Sequence, residues 1–112
     1  MANHEPASRE TQESITAWAN ATFGAASSNA RVAARANEEM AELLRALTED
    51  DNHPKAWEEI ADIVIVLCRV ATLLGVDIAE AVNVKMRVNR TRQWNLDGSG
   101  HGYHTREKPS SA

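Results

Sequence analysis

Two short segments of this chain carry acidic residues in a spacing that can do chemistry. The first is Asn37-Glu38-Glu39-Met40-Ala41-Glu42-Leu43-Leu44 and the second Trp57-Glu58-Glu59-Ile60-Ala61-Asp62-Ile63-Val64. On helices, Glu39 and Glu42 share one face through their i, i+3 spacing, and so do Glu59 and Asp62. If the two helices pack side by side, four carboxylates converge. Such a cluster repels itself without cations, and hard divalent ions prefer oxygen ligands of this kind. A third segment has the opposite charge: Lys85, Asn89 and Arg92 stand at i, i+4 and i+7. Their stripe runs back to Ile78 and Val82, expected core positions, and polar groups on an inward stripe need partners there. A bound anion is one candidate. Carboxylates that hold metals, facing cations that hold phosphates, describe a nucleotide polyphosphate site.

Helices must position these residues. A first is expected from about Glu10 to Phe23, with Ile15, Trp18, Ala19 and Thr22 on one side and Gly24 stopping it in the left-handed conformation. Ser27 or Ser28 can cap a second, which runs to about Leu47 with an apolar stripe of Val32, Ala36, Met40, Leu43 and Leu47. Pro54 suits the first turn of a third, ending near Leu74 with Gly75 as its stop. Its run Ile63-Val64-Ile65-Val66-Leu67 has strand-like composition. The apolar character persists over four turns, however, and the preceding turn is helix-forming, so a helix is expected. A helix apolar nearly all round belongs at the centre, and at an oligomer interface. Asp77 can cap a fourth helix, about Ile78 to Gln93, with Glu80 placed as in a capping box. At about 100° per residue, Glu59 falls near Val66 and Val70, and Asp62 near Val66 and Leu73. Glu39 lies near Val32 and Leu43, with Glu42 at the edge. The acids therefore border apolar stripes rather than a solvated face.

The expected fold class is all-α and four-helix bundle-like, with a helical domain over residues 1–94 and a flexible tail over 95–112. Residues 1–9 read as a loose lead. The 112 residues are 43% hydrophobic and 25% charged, with a net charge of −4. That balance fits one small globular domain and argues against binding a nucleic acid polymer, which needs a basic surface. The single cysteine, Cys68, excludes an internal disulfide and reads as a buried, inert thiol. The apolar stretch from Ile60 to Leu74 holds Asp62, Arg69 and Thr72 and is too short for a membrane span. No signal peptide is read at the start, so a cytoplasmic location is expected.

Bland readings compete at several positions. One Glu-rich motif in isolation is most often a solvated face. Arg87 and Arg90, off the stripe, complement a helix dipole. Trp18, Phe23, Trp57 and Trp94 are more often core or interface than base-stacking residues. The Glu-x-x-His signature of di-iron bundles is absent, as are a glycine-rich phosphate loop and a nucleophile motif.

Taken in order, the three motifs resemble the MazG-like, all-α nucleoside triphosphate pyrophosphohydrolases. Glu38-Glu39-Met40-Ala41-Glu42 matches that family's Glu-Glu-x-x-Glu, and Glu59-Ile60-Ala61-Asp62 its Glu-x-x-Asp. Lys85-Met86-Arg87-Val88-Asn89-Arg90-Thr91-Arg92 matches its Lys-x-x-x-Asn-x-x-Arg. The resemblance spans about Asn37 to Trp94, half of the chain. It implies Mg²⁺-dependent cleavage between the α- and β-phosphates, with Mn²⁺ substituting, to give a nucleoside monophosphate and pyrophosphate, as in clean-up of the nucleotide pool. It implies that Glu39, Glu42, Glu59 and Asp62 hold metal. Glu38 or Glu39 would activate water, and Lys85, Asn89 and Arg92 would contact phosphate or sugar. Trp18 would meet the base. A homodimer or homotetramer is implied as well. Two alternatives stand beside this reading: a phosphoribosyl-ATP pyrophosphohydrolase on the same bundle, and a non-catalytic helical module that binds a partner through the third helix.

Overall fold

The computed structural model describes residues 9–105, which form four α-helices and one two-stranded sheet. In chain order these are α1 (Gln12–Phe23), α2 (Asn29–Glu49), α3 (Ala56–Leu73), α4 (Ile78–Thr91), β1 (Trp94–Leu96) and β2 (Gly102–His104). The chain divides into two compact units, Met1–Ile78 and Ala79–Ala112. Most of the expected lead and the end of the expected tail lie outside the described residues.

Local chemistry sets the helix ends of the first unit. Thr11 caps α1 in a reciprocal capping box with Ser14, so the helix starts at Gln12 rather than Glu10. Its last turn closes where the Gly24 N–H donates to the Asn20 carbonyl at 2.9 Å. Gly24 has φ 79° and ψ −171°, an extended glycine-only conformation, not the left-handed helical one expected. Ser28, the second of the two candidate caps, accepts from the Arg31 N–H at 3.1 Å. Pro54 falls in the turn before α3, whose first helical residue is Ala56. That turn is held by the His53 N–H on the Asp50 carbonyl and the Lys55 N–H on His53 Nδ1. Gly75, at φ 71°, follows the end of α3.

The run from Ile63 to Leu67 is helical, and α3 is the central element of the first unit, packing against both α1 and α2. The buried residues come mostly from α1 and α3: Thr16, Ala19, Ile63, Cys68 and Ala71. Cys68 is buried as expected, and burial pushes its thiol pKa up. Polar contacts pin α1 to the C-terminal end of α3. Thr16 and Thr72 hydroxyls meet at 3.0 Å. The Gln12 amide donates to Thr72 Oγ1 and the Val76 carbonyl, and accepts from the Ile78 N–H at 2.8 Å.

Several expected core positions are exposed. Trp18 and Thr22 on α1, and Met40 on α2, face out, whereas Thr16 is buried in their stead. On α3 the side chains of Trp57, Ile60, Val64 and Leu67 remain accessible. Among the described residues no large side chain is fully buried. Three helices of this length cannot enclose that much apolar surface.

The second unit holds α4 from Ala79 and the sheet. Val82, an expected core position, is exposed. The sheet was not expected: β1 and β2 pair antiparallel with Asn95 opposite Tyr103. Asp97 Oδ1 accepts from the Ser99 backbone N–H at 2.9 Å and from its hydroxyl, which turns the connecting loop and lowers the Asp97 pKa. A Cβ at Gly102 would stand 2.8 Å from the Asn95 carbonyl oxygen, so a glycine permits the close pairing there. The Trp94 indole N–H donates to the Asn89 carbonyl at 3.0 Å, joining the end of α4 to the hairpin.

Candidate active site

Packing α2 along α3 brings the two acidic motifs together. Glu39, Glu42 and Glu59 each place a carboxylate oxygen within 4.8 Å of the others, an arrangement able to hold a cation. Glu39 is only 6% exposed, Glu59 half-buried and Glu42 exposed, so the cluster runs from the interior to solvent. Asp62 completes the expected quartet less tightly. It is exposed and stands outside that closest group, yet its charge acts on both Glu39 and Glu59.

Burial and mutual repulsion dominate the electrostatics of the cluster, with Arg35 as a partial counter-charge. Burial raises the Glu39 pKa, and Glu42 raises it further, while Arg35 pulls it back. Burial also raises Glu59, again with Glu42 as the next cause. One oxygen of Glu59, Oε2, is buried and has no hydrogen-bond partner among the described residues. An unpaired buried carboxylate oxygen is costly. A divalent ion would satisfy it, and the all-oxygen donor set suits Mg²⁺ or Mn²⁺. The residues present therefore fit a hard metal ion.

A cavity of about 460 Å³ opens beside the cluster. Glu39 and Asp62 line one part of it and Trp18 and Phe23 another, with Arg35 and Arg69 also on its wall. The Trp18 and Phe23 rings meet edge to face, centroids 5.5 Å apart at 82°. The Arg69 guanidinium lies 5.9 Å from the centre of the Phe23 ring and donates to the Gly24 carbonyl. Its Nε is buried without a partner among the described residues. The combination of acids, cations and an aromatic wall suits a ligand with a planar ring and an anionic group carried on metal.

Arg35 is the residue that sequence reasoning missed. From α2 it reaches Glu38 Oε2 at 2.9 Å and Glu39 Oε1 at 3.1 Å. Its position four residues before Glu39 was the available signal, since i, i+4 pairs meet on a helix. Arg69 drew notice only as a charge interrupting an apolar run. Glu38, an expected catalytic residue, is exposed and engaged with Arg35.

Lys85, Asn89 and Arg92 belong to the second unit. Lys85 is exposed on α4, Asn89 half-buried near its end, and Arg92 just past its last residue. The Asn89 Oδ1 atom is buried and has no hydrogen-bond partner among the described residues.

The chain is similar to several known proteins. A family described as dATP/dGTP pyrophosphohydrolase matches residues 11–109. A dATP/dGTP diphosphohydrolase of Cyanophage S-2L is 44% identical over 46 residues, covering 41% of this chain and 44% of that protein. A dATP/dGTP diphosphohydrolase of Salmonella phage PMBT28 is 34% identical over 95 residues, covering 85% of this chain and 30% of that protein. The matches thus span less than half the length of these two relatives. Among solved structures, the Cyanophage S-2L MazG-like pyrophosphohydrolase, bound to dGDP and three catalytic Mn²⁺ ions per active site, superposes with a TM-score of 0.70. It is 33% identical, and the match covers 87% of this chain and 91% of that one.

Proposed function

This chain belongs to the dATP/dGTP pyrophosphohydrolase family, and from that premise we propose that it hydrolyses purine deoxynucleoside triphosphates between the α- and β-phosphates. Its products are then a nucleoside monophosphate and pyrophosphate. The observation that carries this reading is the cluster of Glu39, Glu42 and Glu59, whose Glu59 Oε2 has no partner among the described residues, set beside an aromatic-walled cavity. The dGDP and Mn²⁺ ions of the Cyanophage S-2L structure support it, as do the names of the two phage relatives.

Glu39, Glu42, Glu59 and Asp62 would hold Mg²⁺, with Mn²⁺ as a substitute. Such ions, when bound, neutralise the triphosphate and lower the pKa of a coordinated water. The chain's own groups do the rest. Glu38 or Glu39 takes the proton of the attacking water. Trp18 offers a ring face or edge to the purine. On the strength of their motif and of the orphaned Asn89 oxygen, Lys85, Asn89 and Arg92 are assigned contacts to phosphate or sugar.

A panel of the common ribo- and deoxynucleoside triphosphates, assayed for pyrophosphate release with Mg²⁺ and with Mn²⁺, tests the proposal. dATP and dGTP should be the preferred substrates. Preference for a pyrimidine nucleotide would overturn the substrate class, and no release from any nucleotide by a folded sample would overturn the enzyme.

A further inference from the structure

Arg35 sits where two functions meet. Its guanidinium bridges Glu38 and Glu39 through separate nitrogens, Nη1 at 2.9 Å and Nη2 at 3.1 Å. The partners differ sharply in burial: the Glu39 side chain is 7% exposed, whereas those of Arg35 and Glu38 are each 63% exposed. An exposed cation therefore reaches inward to a buried carboxylate of the acidic cluster. Arg35 also lines the cavity that Glu39, Asp62 and Trp18 share. Rested on the function proposed above, we infer that Arg35 is a resident counter-cation of the metal-free cluster and passes to the nucleotide's phosphates when metal binds.

The physical case has three steps. Without metal, the three clustered carboxylates repel one another, and the Arg35 charge offsets part of that repulsion at Glu39. A guanidinium remains charged at any working pH, and the two glutamates hold its proton more firmly still. With a divalent ion on Glu39, Glu42 and Glu59, the guanidinium faces a like charge across one carboxylate, so the pair with Glu39 weakens. The i, i+3 pair with Glu38 is exposed on both sides, and an exposed ion pair holds weakly and is readily exchanged. The planar fork of donors then finds a closer match in phosphate oxygens, which arginine binds through two parallel hydrogen bonds.

The other arginines of the cavity are less suited to this exchange. Arg69 is tied to the Gly24 carbonyl and the Phe23 ring. Arg31 lies one turn before Arg35 on α2 and also lines the cavity, but the ion pairs with the acidic motif are made by Arg35.

Calorimetric titration of Mn²⁺ into the nucleotide-free chain, followed by titration of α,β-methylene-dGTP into the Mn²⁺-loaded chain, tests the inference. Arg35→Gln removes the competing cation, so its Mn²⁺ affinity should rise at least about fivefold while its affinity for the analogue falls by a similar factor or more. Arg35→Lys keeps the charge and loses the fork, so it should bind Mn²⁺ like the wild type and the analogue more weakly. Should Arg35→Gln fail to fold, the Lys variant still decides through its analogue affinity. Unchanged or weaker Mn²⁺ binding by Arg35→Gln would overturn the exchange, and so would unchanged analogue binding by either variant. A wild-type chain that binds no Mn²⁺ would instead remove the metal site itself, and the inference with it.

Discussion

Glu59 is the residue on which the proposed metal site turns, because its Oε2 is buried and has no hydrogen-bond partner among the described residues. Converting it to glutamine keeps the shape and removes one of the mutually repelling charges. Glu59→Gln should therefore hold or slightly raise the melting temperature without metal, and lose the rise that Mg²⁺ produces. In the wild type, metal at a hundredfold excess over Kd adds about 2.7 kcal/mol, on the order of 10 °C for a small domain. Paired thermal scans with Mg²⁺ and with a chelator measure both effects. A large loss of metal-free stability with a normal Mg²⁺ response would refute the assignment. The same cluster sets a pH dependence. Glu39 and Glu59 have raised pKa values in the folded, metal-free chain, so the folded state binds protons more readily than the unfolded one. Stability from these groups is present below the ordinary carboxylate range and is lost as pH rises through the raised values. The metal-free melting temperature should thus gain from this cluster on mild acidification from neutral pH, while the Mg²⁺-induced rise shrinks as protons compete for the ligands. A Mg²⁺ response independent of pH between neutral and weakly acidic solution would contradict this. The acidic pairs were legible because i, i+3 spacing on helices needs no tertiary information. The place of Asp62 outside the closest group depends on how α2 and α3 pack, which spacing does not encode.

At the scale of elements, α3 carries an exposed stripe of Trp57, Ile60, Val64 and Leu67, spaced three, four and three residues apart. A heptad-like seam of this kind on a central helix calls for a covering partner. We propose that a second copy of this chain supplies it. Val64→Glu would place a charge in the middle of the seam. The wild type should be a dimer or larger by light scattering at micromolar concentration, and Val64→Glu a smaller species. A monomeric wild type would contradict the proposal. The helices themselves were readable to within a residue or two at most ends, because Ser28, Gly24 and Gly75 act locally. Two features escaped. Met40 and Val82 fit apolar stripes by period yet are exposed, since a stripe says which residues share a face but not whether anything covers it. The hairpin was invisible because strands of three residues are too short for alternation to register. Its pairing rests on the Asp97–Ser99 turn and on Gly102.

For the whole molecule, an acidic net charge of −4 is compatible with a polyanionic substrate when metal and arginine carry the local positive charge. No described helix is long and apolar enough to cross a membrane. The chemistry proposed for the assembled site is attack by water at the α-phosphorus with pyrophosphate as a single leaving group. The most direct test is ³¹P NMR of dGTP incubated with the wild-type chain and Mg²⁺ in ¹⁸O-enriched water. The expected spectra show dGMP and pyrophosphate growing in together, with the isotope-shifted signal on the dGMP phosphorus and no dGDP at any time. Appearance of dGDP with inorganic phosphate, or of the isotope in pyrophosphate rather than in dGMP, would contradict cleavage at the α-phosphorus.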